Sequence, residues 1–458
     1  MRRTSLKITV LAGLPARVPG ARRRQHRRRR TALGASIAMR TTDDGRAASP
    51  GRRIRTIGVT GSAGKTTTTH LTAHILNAAG TSTGFLSTVA HQIGAAVHVN
   101  HSGFTTMEAP EIQGCLADME SAGNRVAVVE ASSHGLAEGR VDGCEFDVAA
   151  YTNIGLDHLD FHGTPERYLQ AKARLITLTA CATGKGTPKT TVLNRDDASF
   201  PILRGLVSTE RLLTYAIDTV DADVCATDVD IDSLGVSFTL RCEGNTARAR
   251  LPLAGRFNLQ NALCATTSAI ALGVSIADIA AALQSFAGVP GRLERIDAGQ
   301  PFTVLVDFAH APLRFAAVLD TLRPATAGRL IVVFGSSGLA DHDARGTGAA
   351  VGRRADLCVI TSADPGLGDP LEIAHRIEKG VLGAQPDANC QIILDRREAI
   401  GYALRVARRE DVVVLAGKGV ERTMWLADGP TPWNERAHAM AILLELGFGT
   451  PRTNVVRP

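Results

Sequence analysis

The chain has 458 residues, 44% of them hydrophobic and 21% charged, proportions typical of globular proteins. This length predicts about two to four domains and a core large enough to need no disulfide. The eight cysteines are scattered without a CxxC pair, which argues against a zinc ribbon and for a reducing compartment, so we predict a cytoplasmic location. The sequence has no run of about eighteen apolar residues, so no membrane span is expected.

The positive charge belongs to the beginning of the chain. Residues 1–38 carry eleven Arg or Lys and no acid, and subtracting these from the net charge of +6 leaves −5 for the rest. We predict a basic disordered leader over residues 1–50, or a start site placed upstream of Met39. The alternative is an arm for nucleic acid or a membrane surface, and the composition also loosely fits a transit peptide. The remaining chain has no basic excess, so no nucleic-acid partner is expected.

The first elements of the folded part alternate between strands and helices. A strand at 55–59 leads into a glycine-rich loop and a helix to about residue 79, and buried strands follow at 126–130 and 146–154. Thr164 and Pro165 predict a helix start, as N-cap and first-turn residue. Residues 208–251 alternate in the manner of antiparallel strands, and a helix is predicted to end at Gly273.

A second unit starts near Pro290. Four apolar strands in it, within FTVLVDFAH, RLIVVFGSSG, DLCVITSADPG and DVVVLAGKG, each run into a Gly- or Asp-rich loop, with helices between. This order is typical of a parallel doubly wound sheet. We therefore predict an α/β chain with a central domain at 51–288, built on a parallel sheet plus a small antiparallel portion, and a Rossmann-like C-terminal domain at 289–458.

The stretch GVTGSAGKTT, residues 58–67, fits the pattern G-x-x-x-x-G-K-[ST]. Its glycines let backbone N–H groups close around phosphates, Lys65 supplies a cation, and the Thr66 hydroxyl can bind Mg²⁺. A strand precedes the loop and a helix follows it, as the motif requires. The central domain is therefore predicted to be a P-loop ATP-binding domain with phosphate contacts at Gly61, Ser62, Ala63, Gly64, Lys65, Thr66 and Thr67.

Further polar groups follow two of the strands. Glu130 ends the strand at 126–130, and the run DHLDFH after the next strand offers Asp157, His158, Asp160 and His162. Open α/β sheets bind ligands at the carboxyl ends of their strands, so we expect Glu130, His158 and the glycine-rich loop to share one site. A kinase or GTPase would also use such a loop, but the sequence shows neither a nucleophile-orienting residue nor a guanine reader.

The helix around RYLQAKARLI, residues 167–176, carries a lysine on its inward face. Helical spacing places Tyr168, Lys172, Leu175 and Ile176 on one side. Lysine is rare in this chain, with seven against forty-four arginines. An ammonium facing a core is costly to bury, and burial lowers its pKa. The position therefore suggests a chemical role for Lys172.

Several blocks together resemble one family. GVTGSAGKTTTT, the long stretch from VEASSHGLAEGRVDGCEFDVAAYTN to DHLDFHGTPERYLQAKARL, GRFNLQNAL, GRLERIDAGQPFTVLVDFAHAP and AGKGVE occur in this order. They resemble the Mur ligases of the MurE type, which add the third amino acid to a UDP-MurNAc-dipeptide. The likeness runs from about residue 54 to about 445.

The resemblance implies an ATP-dependent amide ligase. ATP activates a carboxylate as an acyl phosphate, an amine attacks it, and ADP and phosphate leave. Two Mg²⁺ ions and cationic side chains offset the repulsion between the carboxylate and the γ-phosphate. The implied catalytic residues are Lys65, Lys172, Arg292 and Asp307. The implied metal ligands are Thr66, Glu130, His158 and Lys172, the last through a CO₂-derived carbamate. The implied adenine and phosphate contacts outside the loop are Asn258, Asn261 and Arg292. The implied substrate contacts are Thr105, Thr106, Ser133, Arg140, Arg345, Asp364, Gly417 and Glu421.

Two departures from the family pattern concern the substrates. MurE-type enzymes carry an N-terminal domain that holds the uridine, whereas here about fifty arginine-rich residues precede the first strand. Diaminopimelate-adding members carry Asp-Asn-Pro-Arg, whose arginine pairs with the distal carboxylate. This chain has Ala363, Asp364, Pro365 and Gly366 instead. An acid in that loop suits a basic or neutral side chain on the incoming amino acid.

The resulting hypothesis is a monomeric ligase that joins an amino acid or amine to a carboxylate acceptor such as a muramyl peptide. One alternative is a ligase for a specialised substrate, similar to cyanophycin synthetase or folylpolyglutamate synthase. The other is a catalytically lapsed relative that serves as a binding or scaffold protein.

Overall fold

The computed structural model of the protein describes residues 50–449 apart from 101, 103, 156, 233–234 and 339–342. The predictions on the basic leader fall on residues 1–49 and lie outside this range. In the described part of the chain, no helix is both long and apolar enough to cross a membrane.

A large mixed sheet occupies the first half of the described chain. Its strands are β1 (Arg55–Thr60), β2 (Thr83–Leu86), β3 (Ala90–Ile93), β4 (Ala96–Val99), β5 (Val126–Glu130), β6 (Val148–Tyr151), β7 (Thr190–Asn194), β8 (Arg211–Ala216), β9 (Val224–Asp232), β10 (Gly235–Cys242) and β11 (Asn245–Leu251). Their order is β11-β10-β9-β8-β7-β6-β1-β5-β2-β3-β4. The centre is parallel, and antiparallel hairpins lie at both edges.

The helices α1 (Lys65–Ala78), α2 (Ala109–Ser121), α3 (Ser133–Ala137), α4 (Leu159–His162), α5 (Pro165–Ala180), α6 (Phe200–Leu206), α7 (Arg256–Ala271) and α8 (Ile276–Gln284) accompany this sheet. The prediction of antiparallel strands over 208–251 is correct for β9–β11 and wrong for β8, which runs parallel to β7 and β9. The reason is the helix α6 between β7 and β8, since a strand–helix–strand connection returns the chain in the same direction.

The helix α5 starts and faces inward as the sequence predicts. The Thr164 side chain accepts a hydrogen bond from the Arg167 N–H, and Pro165 occupies the first turn. The inward face comprises Tyr168, Lys172, Leu175, Ile176 and Thr179, all buried. This helix packs near β1 and β6, so its lysine is carried to the end of these strands.

A second, six-stranded sheet follows. Its strands are β12 (Glu294–Ile296), β13 (Thr303–Asp307), β14 (Leu330–Phe334), β15 (Leu357–Ile360), β16 (Cys390–Ile392) and β17 (Val412–Ala416), in the order β12-β13-β17-β14-β15-β16. All pairs are parallel except β12–β13. The helices are α9 (Pro312–Ala325), α10 (Ala344–Gly352), α11 (Pro370–Ala384), α12 (Arg396–Val406) and α13 (Glu435–Glu445), and β18 (Thr423–Leu426) pairs with β19 (Gly429–Pro432).

Each sheet has an apolar core on both faces, and each has a distinct carboxyl edge. In the first sheet, β1 lies between β5 and β6, so the glycine-rich loop, Glu130 and the segment after Tyr151 meet at one edge. In the second sheet, β17 lies between β13 and β14 and runs parallel to both, so the segments after Asp307, Phe334 and Ala416 meet at one edge, the edge at which open α/β sheets bind ligands. The predicted boundary at residue 288/289 falls between the two sheets and stays a prediction.

Candidate active site

The glycine-rich loop is shaped by two residues with positive φ. Gly61 has φ +151° and Gly64 has φ +80°, and a Cβ on Gly64 would lie 2.0 Å from Oδ1 of Asn261. The loop is also tied to the end of β6, because the Asn153 carbonyl accepts from Ser62 N at 2.8 Å and its side chain from Ala63 N at 3.0 Å. The loop therefore has one defined shape before it meets a ligand.

Lys65 begins α1 directly after this loop. Its Nζ donates to the carbonyls of Gly61 at 2.9 Å and Ser62 at 3.2 Å. Burial lowers the pKa of this amine, while the charge of Glu130 acts in the opposite sense. Backbone carbonyls are weak partners for an ammonium, so the charge of Lys65 remains available to an anion.

Glu130 ends β5 inside a cluster of hydroxyl groups. Both of its carboxylate oxygens accept from Thr66 Oγ1 at 3.1 Å. Thr88, which the sequence analysis missed, donates its N–H at 2.8 Å and its hydroxyl at 3.0 Å to the same carboxylate. A carboxylate and a hydroxyl at this separation are hard oxygen donors, the chemistry that suits Mg²⁺.

Lys172 is 1% exposed and reaches the same edge from α5. Its Nζ donates to the Gly61 carbonyl at 2.8 Å and lies 4.7 Å from the centre of the Tyr168 ring. Burial, and then the nearby charge of Lys65, hold the pKa of Lys172 well below its usual range. Tyr168 also hydrogen-bonds Ser62 Oγ at 2.7 Å, so the helix and the loop fix each other.

His158 stands at the start of α4 with φ +52°. Its Nε2 lies 3.5 Å from Asp157 Oδ2, and its ring meets that of His134 at 4.7 Å. Burial is the main cause that lowers the pKa values of His134 and His158, which favours neutral rings that can bind a metal. Of the other members of DHLDFH, Asp160 is exposed and His162 is buried.

No three His, Cys, Asp or Glu side chains within the described residues form a complete metal cluster. Mg²⁺ usually takes one or two carboxylates and completes its shell with water and substrate phosphates. Thr66 and Glu130 offer oxygen donors in contact with each other, and His158 offers a ring nitrogen, so the residues present fit such a site.

The second half of the chain completes the site. Asp307, at the end of β13, accepts from Leu293 N at 2.9 Å and from Ala309 N at 2.8 Å. Burial raises the pKa of this carboxyl, and the charge of Arg292 opposes the rise. Arg292 itself lies over the Phe308 ring at 4.9 Å.

These groups surround one cavity of about 740 Å³, which we call the nucleotide cavity. It is lined by the predicted residues Ser62, Ala63, Gly64, Lys65, Thr66, Thr67, Thr105, Glu130, Ser133, Arg140, His158, Lys172, Asn258, Asn261, Arg292 and Asp307. Phe257, Ala317, Val318 and Thr321 line it as well. Residues widely separated in sequence are thus brought together as the P-loop hypothesis requires.

Six predicted residues do not line this cavity. Gly61 presents its carbonyl to both lysines, and Thr106 is buried with its hydroxyl bonded to the Glu130 carbonyl at 3.0 Å. Arg345 is exposed and faces a separate cavity of about 360 Å³ beside Arg353 and Lys379. The remaining three are Asp364, Gly417 and Glu421, which lie around Lys418.

Lys418 forms a cluster that the sequence analysis missed. Its side chain is 1% exposed, and Nζ donates to Asp364 Oδ1 at 2.8 Å, to Asp364 Oδ2 at 2.7 Å and to the Thr423 carbonyl at 2.8 Å. It also forms an ion pair with Glu421, whose pKa is raised mainly by burial. We call Lys418, Asp364, Glu421 and Thr423 the lysine cluster.

Arg314 is a further missed residue, on the first turn of α9 and in the lining of the nucleotide cavity. No motif identified it, because arginine in a first helical turn is also common on protein surfaces. Asn153 and Thr88 were missed for a similar reason: each acts through a contact that only the folded chain creates.

Comparison with known proteins agrees with this geometry. The Mur ligase middle domain matches residues 59–269, and the Mur ligase, glutamate ligase domain matches residues 291–419. A UDP-N-acetylmuramyl-tripeptide synthetase of Roseiflexus sp. (strain RS-1) is 44% identical over 411 residues, 87% of this chain and 80% of that protein.

Solved structures extend the comparison. The structure of a UDP-N-acetylmuramoyl-L-alanyl-D-glutamate–2,6-diaminopimelate ligase is 30% identical with a TM-score of 0.65, and the match covers 86% of this chain and 79% of that one. The folylpolyglutamate synthase of Mycobacterium tuberculosis complexed with ADP is 22% identical with a TM-score of 0.62, covering 81% and 89%, and shows a shared fold.

The chain belongs to the Mur ligase family, whose members are ATP- and Mg²⁺-dependent ligases that form amide bonds. Within the family it is of the MurE type, the group of the tripeptide synthetases and diaminopimelate ligases that it resembles. The predicted family and fold class are thereby confirmed.

Proposed function

We propose that the chain joins an amino acid to the carboxylate of a UDP-muramyl peptide, with ATP converted to ADP and phosphate. The observation that supports this most is the convergence of Lys65, Lys172, Arg292 and Asp307 on one cavity that also holds Thr66 and Glu130. The relatives are named for UDP-muramyl peptides, which favours this acceptor over others.

The reaction has two steps. A carboxylate oxygen of the acceptor attacks the γ-phosphorus, the bond to the β–γ bridging oxygen breaks, and its electron pair leaves with ADP. The amine then attacks the acyl carbon, loses a proton, and phosphate leaves. Lys65 and Arg292 offset the negative charge that gathers around the γ-phosphate. Asp307 holds the backbone N–H of Leu293, which follows Arg292, and that of Ala309, which follows Phe308, so it keeps Arg292 in place over the Phe308 ring.

Thr66, Glu130, His158 and a carbamate on Lys172 are proposed to hold two Mg²⁺ ions, which supply charge neutralisation to the phosphates. Burial lowers the pKa of the Lys172 amine and so favours its neutral form, which supports carbamylation. Thr105, Ser133 and Arg140 at the cavity wall are proposed acceptor contacts. Arg140 is held for this role by the Thr106 carbonyl at 3.0 Å and by its position over Phe104. The cytoplasmic location and the monomeric state stay predictions.

The incoming amino acid is proposed to carry a neutral or cationic side chain. The lysine cluster lies after the carboxyl ends of β15 and β17, and in it two carboxylates share one ammonium, so one negative charge is in excess. Lys418 is fully engaged and offers nothing to a distal carboxylate. Ser336, at the end of β14, is 4% exposed, and its hydroxyl has no hydrogen-bond partner among the described residues, which leaves it for a ligand.

The test is product formation by the purified chain with ATP, Mg²⁺ and UDP-MurNAc-L-Ala-D-Glu. L-lysine, L-alanine and diaminopimelate are supplied separately, and phosphate release and product mass are measured. We expect a product with lysine or alanine, and much less with diaminopimelate. Absence of phosphate release with every acceptor and amine would exclude a ligase and favour the scaffold alternative.

A folate-type ligase is the second candidate, supported by the shared fold with folylpolyglutamate synthase. The same assay with pteroylglutamate and glutamate separates the two. If product forms only in that reaction, the acceptor is a pteroylglutamate and not a muramyl peptide.

A further inference from the structure

Arg314 brings a third cation into the nucleotide cavity. It lies in the first turn of α9, where its N–H bonds the Ala311 carbonyl at 3.0 Å, so its backbone is fixed. Its side chain is 42% exposed, and its Nη2 lies 3.7 Å from Asp157 Oδ2, beyond hydrogen-bond range. Asp157 is engaged elsewhere, since its Oδ1 accepts from His158 N at 2.9 Å. The guanidinium is thus loosely held by its anionic neighbour.

The charge of Arg314 changes the pKa values of two groups in the cavity lining. Burial is the first cause that lowers the pKa of Lys65, and the charge of Arg314 lowers it further. At Asp307, burial raises the pKa, and the charges of Arg292 and Arg314 oppose the rise. The charges of Lys65, Arg292 and Arg314, which come from different elements, therefore act on the same part of the cavity. This arrangement suits the anionic phosphates of a nucleotide.

Arg314 is one of four residues of α9 that line the cavity. Arg314, Ala317, Val318 and Thr321 follow helical spacing, so they form one stripe facing the cavity. Thr321 marks the end near α7, because a Cβ on Gly255 would lie 2.1 Å from its Cγ2. At a rise of about 1.5 Å per residue, Arg314 lies about 10 Å from Thr321 along the axis.

The two ends of the stripe differ in chemistry. The Thr321 end lies beside the start of α7, since a Cβ on Gly255 would also lie 3.3 Å from Phe257 Cε1. The aromatic ring of Phe257 and the two asparagines that α7 adds to the cavity lining suit a planar base. The Arg314 end faces Asp157 and His158, at the carboxyl edge of the first sheet. A nucleotide whose base lies at the first end would therefore place its terminal phosphate at the second.

We propose that Arg314 is a catalytic residue that binds the γ-phosphoryl group of ATP. Its planar fork donates two hydrogen bonds to phosphate oxygens and stabilises the charge that builds while the acceptor carboxylate oxygen bonds to the γ-phosphorus and the bond to ADP breaks. The proposal deepens the proposed function and rests on its ATP-dependent phosphoryl transfer. It does not depend on which acceptor or amine is used.

The experiment compares binding of β,γ-methylene-ATP and ADP by titration calorimetry in the presence of Mg²⁺, without acceptor. Arg314→Met is expected to weaken binding of the ATP analogue about ten- to a hundredfold and binding of ADP less than about threefold. Arg314→Lys keeps the charge and loses the fork, so an intermediate loss is expected. The matched control is Arg376→Met, an exposed arginine on α11, for which both affinities should equal those of the parent chain.

Retained ADP binding in Arg314→Met shows that the variant is folded. Turnover of Arg314→Met with a working acceptor should fall about a hundred- to a thousandfold in kcat with little change in the KM of the acceptor. Equal weakening of both nucleotides would overturn the γ-phosphate role. Unchanged binding of the analogue together with a raised acceptor KM would assign Arg314 to the acceptor instead. A chain that binds ATP with this discrimination but ligates nothing would refute the proposed function and leave the role of Arg314 intact.

Discussion

The nucleotide cavity and the lysine cluster lie at the carboxyl ends of the parallel strands of two sheets, but their cationic side chains are paired differently. In the cavity, Lys65 and Lys172 donate to backbone carbonyls, and neither forms an ion pair within the described residues. In the cluster, Lys418 is shared by Asp364 and Glu421 and is fully engaged. The first arrangement leaves cations for anionic ligands, and the second leaves one excess negative charge.

This difference corresponds to two separate tasks, the chemistry that all members of the reaction class share and the choice of substrate. Any ATP-dependent ligase must hold a polyanion, so its cations must not be neutralised by the protein. A pocket for the amine has only to match the side chain of one incoming amino acid. It can do so while its own charged groups are paired with each other. The following variants test whether the two regions are independent, from the largest expected effect to the smallest.

Replacing Lys172 by Ala removes the proposed carbamate and should lower ligation by at least about a hundredfold. The measurement is phosphate release with acceptor and amine. Lys379→Ala, an exposed lysine on α11, is the control and should keep the parent rate. High bicarbonate or chloride should partly restore the ligation activity of a variant that has a shorter side chain at position 172. Full activity of Lys172→Ala would remove the carbamate role.

Gly64→Ala should weaken ATP binding about ten- to a hundredfold. The substitution forces a side chain into φ +80° and places its Cβ 2.0 Å from Asn261 Oδ1, which must move. Gly80→Ala is the matched control, because it also has positive φ, at +80°, but meets nothing within 4 Å. The ATP affinity of both variants is measured by titration. Equal losses of affinity would show that backbone strain alone, without the contact to Asn261, accounts for the loss.

Gly366→Arg should raise the use of diaminopimelate about tenfold by supplying a partner for the distal carboxylate. The site has room, since a Cβ on Gly366 meets nothing within 4 Å, although its φ of +57° costs about 1 kcal/mol. Gly366→Ala carries the same strain without the charge and serves as control. The ratio of kcat/KM for diaminopimelate to that for lysine is the readout, and an unchanged ratio would place the amine elsewhere.

Lys418→Met should lower the free energy of unfolding by about 1–2 kcal/mol, because it leaves two carboxylates without their shared ammonium. The effect is below that of a fully buried pair, since the side chains of Asp364 and Glu421 are 23% and 37% exposed. Adding Asp364→Asn should recover part of the loss. Urea unfolding measures this, while ATP affinity should not change. A parallel loss of ATP affinity would show that the two regions are coupled.

The sequence predicted the nucleotide side well because its signals are local. The P-loop needs glycines, a lysine and a threonine at fixed spacing, and helical periodicity alone placed Lys172 on an inward face that is buried. The lysine cluster was missed because its members are 54 residues apart and come from different loops. The interpretation of Asp364 as a free acid changed accordingly, since its carboxylate is bound by Lys418. Arg345 was placed with the substrate by motif position, and the fold directs it to another cavity.

The sequence by itself determined the strand–loop–helix units and the family, and it predicted a set of ATP-binding residues most of which line one cavity, because each of these rests on short-range spacing or on blocks of like residues. Only the tertiary structure decided which charges are neutralised. Ion pairing depends on distances between atoms that the chain brings together from afar, and a difference of a few ångströms separates an available cation such as Lys65 from an engaged one such as Lys418. The same dependence brought Arg314 into the lining of the nucleotide cavity, where no motif marks it.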